Sequence, residues 1–199
     1  FISAAGFSLL RIVSGFFLAL IIGGLLSALA GRFHIAEVMV RPFIAVIKSV
    51  PVASFIILCL IWLSSRSLSV FISFLIAFPI IYTNLLQGLK STDPKMIEMA
   101  DIFRVGWLKR IKYIYLPQIK PFLISSCSVA IGLAWKSGIA AEVIGIPDGS
   151  IGEKLYEAKV YLSTGDLFAW TVVIVILSFA FEKLFLRLVK ILFAGLEKT

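Results

Sequence analysis

The amino-acid sequence predicts an all-α integral membrane protein with about five transmembrane helices, and three observations carry that reading. Of the 199 residues, 60% are hydrophobic and 15% charged, with a mean hydropathy of +1.06; soluble domains run near half apolar and a quarter charged. The apolar residues gather into runs of about 20, enough to cross about 30 Å of hydrocarbon as a helix. The charges, net +8, cluster between those runs instead of spreading along a solvated face. A disordered chain is excluded and a nucleic-acid partner is not expected. Residues 1–199 read as one transmembrane domain. Cys59 and Cys127 lie inside apolar runs and His34 is the one histidine, so no disulfide framework or histidine metal site is expected.

The expected spans, in order, cover residues 8–30, 38–63, 68–89, 117–141 and 167–188. The first carries Gly15, Gly23 and Gly24, which offer small-residue contact surfaces. The second is interrupted at Pro51 and the third contains Pro79, and membrane helices tolerate both. Arg11, one turn into the first span, is expected to snorkel to the outer interface.

The connections carry the sidedness. Arg32, His34 and Arg41 follow the first span, and Lys90, Lys95, Arg104, Lys109, Arg110, Lys112 and Lys120 follow the third. Lys183, Arg187, Lys190 and Lys198 mark the end of the fifth. The opposite loops hold only Arg66, Lys154 and Lys159 among the cations, and most of the remaining acids: Glu142, Asp148, Glu153, Glu157 and Asp166. The positive-inside rule then puts the N-terminus of this chain outside and the C-terminus in the cytoplasm.

The cytoplasmic connection at residues 90–117 is the most informative stretch. Asp93 suits an N-cap and Pro94 a first helical position. Met96, Ile97, Ala100 and Phe103 then share one helical face. Gly106 permits a bend. Trp107, Leu108, Ile111, Ile114 and Tyr115 make a second apolar face opposite Lys109, Arg110 and Lys112, and Leu116-Pro117 is expected to end that helix and begin the fourth span. Cations of the second helix suit anionic membrane lipid. Glu98 and Asp101 on the first would be repelled by it, so a protein partner accounts for them better.

Glu98-Met99-Ala100, followed at the usual distance by Leu116-Pro117, resembles the "EAA" loop of permease subunits of bacterial ABC importers. Met99 stands for the first alanine of that pattern, and Arg104 where its glycine is expected. Ser8-Leu9-Leu10-Arg11 with Gly15-Phe16, Lys48-Ser49-Val50-Pro51-Val52-Ala53, Ser91-Thr92-Asp93-Pro94, Gly132-Leu133-Ala134-Trp135 and Ala140-Ala141-Glu142-Val143 resemble the nitrate/sulfonate/taurine-type branch over almost the whole chain. The resemblance implies a bacterial inner-membrane permease that catalyses no reaction itself and holds no cofactor, with ATP and magnesium bound by a separate ATP-binding cassette subunit. It also implies a second permease copy, an extracytoplasmic solute-binding protein, and a further N-terminal span missing from this sequence, which begins at Phe1. Met96, Glu98, Ala100, Phe103 and Gly106 become the expected docking residues for the ATPase. Met96 and Phe103 would fill apolar depressions, Ala100 would allow close approach, and Glu98 would make a polar contact or brace the loop. Leu116 and Pro117 close it.

On the opposite side, Lys136 falls about 22 Å along the fourth span from Pro121. An ionisable group at that depth faces a cavity or a partner. Lys136 either pairs with Glu142 or another acid, or meets an anionic solute, with Trp135 stacking beside it or packing on a neighbouring helix. Ile151, Leu155, Ala158 and Leu162 predict an amphipathic helix at the outer mouth. The chain holds no Gly-x-x-x-x-Gly-Lys-Ser/Thr, His-Glu-x-x-His or Gly-x-Ser-x-Gly sequence. An ATP-independent secondary transporter and a membrane scaffold protein remain the alternatives to the importer.

Overall fold

The computed structural model describes residues 2–197, which are helical throughout apart from short connections. Helix α1 (Ile2–Arg32) leads to α2 (His34–Ser49), α3 (Val52–Leu60) and α4 (Ser65–Lys90). Then come α5 (Pro94–Ile102), the short α6 (Trp107–Arg110), α7 (Leu116–Gly145), α8 (Ile151–Val160) and α9 (Thr164–Glu197).

At 1.5 Å per residue, the 31, 26 and 30 residues of α1, α4 and α7 reach about 46, 39 and 45 Å, more than the hydrocarbon needs. Helix α4 lies between α1 and α7 and is more buried than either. Ile12, Phe16 and Ala19 of α1, Ile81 of α4, and Ala130 and Ala134 of α7 share one apolar core. Backbones come close because the contact residues are small. A Cβ on Gly15 would lie 2.4 Å from the Val70 carbonyl oxygen, and one on Gly138 2.5 Å from Ser73 Oγ. Gly23 is also tight against Ile81, whereas Gly24 meets nothing nearer than 4.0 Å within this bundle. Phe16 meets Phe181 and Phe185 of α9 edge-on at 5.9 and 5.1 Å, and Ser128 of α7 donates to the Glu182 carboxylate. These contacts seat α9 against α1 and α7, with the segment 167–188 inside one unbroken helix.

One sequence expectation is sharpened and two are corrected. Residues 38–63 are interrupted at Pro51 as expected, but by a sharp corner: α2 and α3 meet at 100°. Val50, held extended by the following proline ring, sits at the corner with φ −87° and ψ 132°. Nine residues of α3 rise only about 14 Å, too short to cross alone. Secondly, Leu116-Pro117 does not end a helix. Helical backbone continues from Trp107 to Gly145 through a wider π-helical turn at Ile111–Tyr115, which accommodates the proline ring and its missing donor. Thirdly, Leu162 lies beyond α8, left-handed at φ +53° and exposed, while Ile151 and Ala158 form the packed face.

The two ends of the bundle differ. Lys90 pairs with Glu37 at 2.6 Å, and Arg32 lies over the Trp107 ring at 5.7 Å. The α1–α2 junction, the end of α4 and the α5–α6 connection therefore share one end. Arg11, Arg66, Glu142 and α8 occupy the other.

Candidate functional site

Local sequence builds the α5–α6 connection. Asp93 accepts from the Lys95 N–H (2.9 Å), and Pro94 fills a first-turn position where its missing N–H forfeits no helical bond. The helix then closes with two crossed bonds: Val105 N–H donates to the Ala100 carbonyl (2.9 Å) and Arg104 N–H to that of Asp101 (3.1 Å). Such a closure needs a left-handed residue. It is Arg104, at φ +49°, and not Gly106, whose φ is −63°. Gly106, where the sequence permits a bend, precedes α6 in an ordinary extended conformation, and the turn itself is made at Arg104.

Arg110 holds the closure from beneath. Its Nε donates to the Val105 carbonyl (2.8 Å), its Nη2 to the Ala100 carbonyl (3.1 Å), and its Nη1 lies 2.5 Å from Asp101 Oδ1. A planar guanidinium is suited to such a three-way contact. Sequence reasoning grouped Arg110 with the lipid-facing cations and missed this role. The available signal was an acid and a base flanking a predicted bend, nine positions apart.

What the brace presents is apolar. Ile102, Phe103 and Leu108 are 77%, 74% and 80% exposed, and Met96 is exposed beside them. Glu98 is exposed and has no hydrogen bond or ion pair among the described residues, so bracing falls to Asp101 and Arg110 instead. Ala100 faces inward at 2% exposure. The unit is tied to the bundle by the Trp107–Tyr115 ring contact (6.1 Å), by Arg32 over Trp107, and by Leu116, half-buried against the core. Pro117 lies exposed in the first turn of α7.

At the other end, Trp135, Lys136 and Glu142 diverge. Trp135 is 2% exposed within the core. Lys136 is exposed and makes no ion pair among the described residues. Glu142 is fully buried, and its pairing with Lys136 is not made. Its Oε2 accepts instead from Ser8 Oγ (2.6 Å) and from Gly152 N–H (3.4 Å), while Ser8 Oγ accepts from Ile151 N–H (2.9 Å). A carboxylate and a hydroxyl thus satisfy two first-turn amides of α8, where negative charge is favoured by the helix dipole. A Cβ on Gly152 would lie 2.3 Å from that of Glu142, so only glycine lets α8 sit this close. Farther along α8, Glu157 at 2.7 Å raises the Lys154 ammonium above its ordinary range.

Residues 15–198 match the family described as binding-protein-dependent transport system inner membrane component. The chain belongs to that family. Its relatives include the putative aliphatic sulfonates transport permease protein SsuC of Bacillus subtilis, 25% identical over 86% of this chain and 62% of that one. The nitrate import permease protein NrtB of Synechococcus elongatus is 28% identical over 80% of this chain and 56% of its own. The taurine transport system permease protein TauC of Escherichia coli is 25% identical over 88% and 64%. This inner membrane component therefore spans about three-fifths of the length of these relatives. A solved amino acid ABC transporter with histidines shares its fold, with a TM-score of 0.69 at 18% identity over 98% of this chain and 92% of that one. Family and helices together make it a multi-pass membrane protein.

Proposed function

We propose that this chain is a permease subunit of a bacterial ABC importer, coupled through α5 and α6 to a separate ATP-binding subunit. The observation that carries the reading is the braced loop with exposed Ile102, Phe103, Met96 and Glu98 at one end of the bundle. An apolar surface on a stiff support suits a groove on a partner protein, and a stiff support transmits displacement. Met96, Glu98, Phe103 and Gly106 lie on that docking side, with Ala100 packing beneath them. ATP and magnesium belong to the partner. A second permease copy completes the pathway, and an extracytoplasmic binding protein delivers solute. The N-terminus of this chain lies outside and its C-terminus in the cytoplasm.

Relatives named for sulfonate, nitrate and taurine support a small anionic solute. Of the three pathway candidates, Lys136, exposed on α7, is assigned the solute contact, whereas Trp135 packs in the core and Glu142 holds α8. The test is co-purification of the ATP-binding subunit with wild type and with a Glu98→Arg, Phe103→Asp double variant. Retention by wild type and loss by a folded variant is the expected result. An intact full-length wild type that retains no ATPase contradicts the reading.

A further inference from the structure

The end of the bundle remote from α5 contains a cavity of about 440 Å³ between α1 and the start of α4, within the range that holds small organic ligands. Arg11 and Arg66 both line it, with Ser67, against an apolar wall that includes Leu18, Phe71 and Phe74. Nη1 of Arg11 is buried without a hydrogen-bond partner, while its guanidinium lies 3.9 Å over the Phe7 ring. Arg66 makes no hydrogen bond or ion pair among the described residues. The lining contains no carboxylate.

Two guanidinium charges face a lining that offers no carboxylate to compensate them. A buried guanidinium nitrogen with no acceptor is costly unless something supplies one. An oxyanion would supply it, and arginine forks match the oxygens of sulfonate, carboxylate or phosphodiester. Leucine and phenylalanine side chains along the rest of the cavity suit an alkyl or aryl body attached to that group.

We infer that Arg11 and Arg66 form a binding site for an anionic headgroup carried on an apolar body. The headgroup comes either from an organic solute such as an alkanesulfonate or from the phosphodiester of a membrane lipid. The inference rests on the membrane-spanning bundle and is independent of ATPase docking.

The test uses the chain purified in an uncharged maltoside detergent with whatever subunits accompany it. Radiolabelled pentanesulfonate binding is titrated, and phosphatidylglycerol binding is followed separately by native mass spectrometry. The expected result is saturable binding of at least one probe, one per chain, weakened about tenfold by Arg66→Gln and at least as much by Arg11→Gln. Pentanesulfonate alone assigns the site to a solute, and phosphatidylglycerol alone to a lipid. Arg66 is exposed, so its variant keeps the fold even if Arg11→Gln does not. Lys159→Gln, an exposed cation of α8, should leave affinity unchanged. The inference is overturned if neither probe binds, if Arg66→Gln binds as wild type does, or if Lys159→Gln weakens binding equally.

Discussion

Arg104 shows how much a single backbone angle decides. The closure of α5 demands a left-handed residue, and arginine at φ +49° crowds its Cβ against the neighbouring carbonyl. Arg104→Gly should relieve about 1 kcal/mol of that strain. The amides of Arg104 and Val105, which donate across the closure, should then exchange with solvent up to about fivefold more slowly. Arg110 is the complementary case. Arg110→Met removes the guanidinium from two carbonyls and a carboxylate, and the connection should lose about 2–3 kcal/mol of local stability. Limited proteolysis between residues 100 and 110 would accelerate while the helical content of the bundle stays unchanged. Arg110→Lys should restore little of the protection, because an ammonium cannot fork to all three acceptors.

Among the elements, α8 depends on chain-distant partners. Its first-turn amides are satisfied by Ser8 of α1 and Glu142 of α7, not by its own cap alone. Glu142→Leu leaves the Gly152 N–H and the Ser8 hydroxyl unmatched in a buried place and should destabilise the protein by about 1–3 kcal/mol. Glu142→Gln, whose carbonyl still accepts, should cost less. Thermal unfolding in detergent of the two variants measures the difference, and equal melting temperatures would show that Glu142 does not anchor α8. Other elements display backbone solutions that residue patterns do not encode. Pro51 marks a 100° corner and Pro117 lies within a continuous helical run, yet both stand in apolar sequence after a residue of high β-preference or bulk. The surroundings of each ring make the difference: α3 turns to pack on α4 and α7, whereas a π-helical turn before Pro117 keeps α7 in line.

For the molecule as a whole, the sequence was legible wherever one physical signal is local. Apolar length marked α1, α4, α7 and α9; Asp93-Pro94 marked the start of α5; the charge clusters marked the two ends. Contacts between distant residues were not legible. Nothing near Glu142 announces Ser8 or Ile151, so its placement beside Lys136 in sequence suggested a pairing that the fold does not make. Arg110 carried the right charge for lipid and the right geometry for Asp101, and only the bend at Arg104 decides between them. The family resemblance was legible over nearly the whole chain because its residues lie at fixed intervals.

The central claim is that the braced α5–α6 connection faces the cytoplasm, where an ATP-binding subunit can reach it, and that the α8–α9 turn faces the opposite side. Single cysteines at Phe103 and Tyr161, placed in a Cys59→Ala, Cys127→Ala background, test this directly with a membrane-impermeant maleimide. Phe103→Cys should label only in inside-out vesicles and Tyr161→Cys only in right-side-out vesicles. Labelling of both from one side, or of Phe103→Cys only from the extracytoplasmic side, would contradict the account.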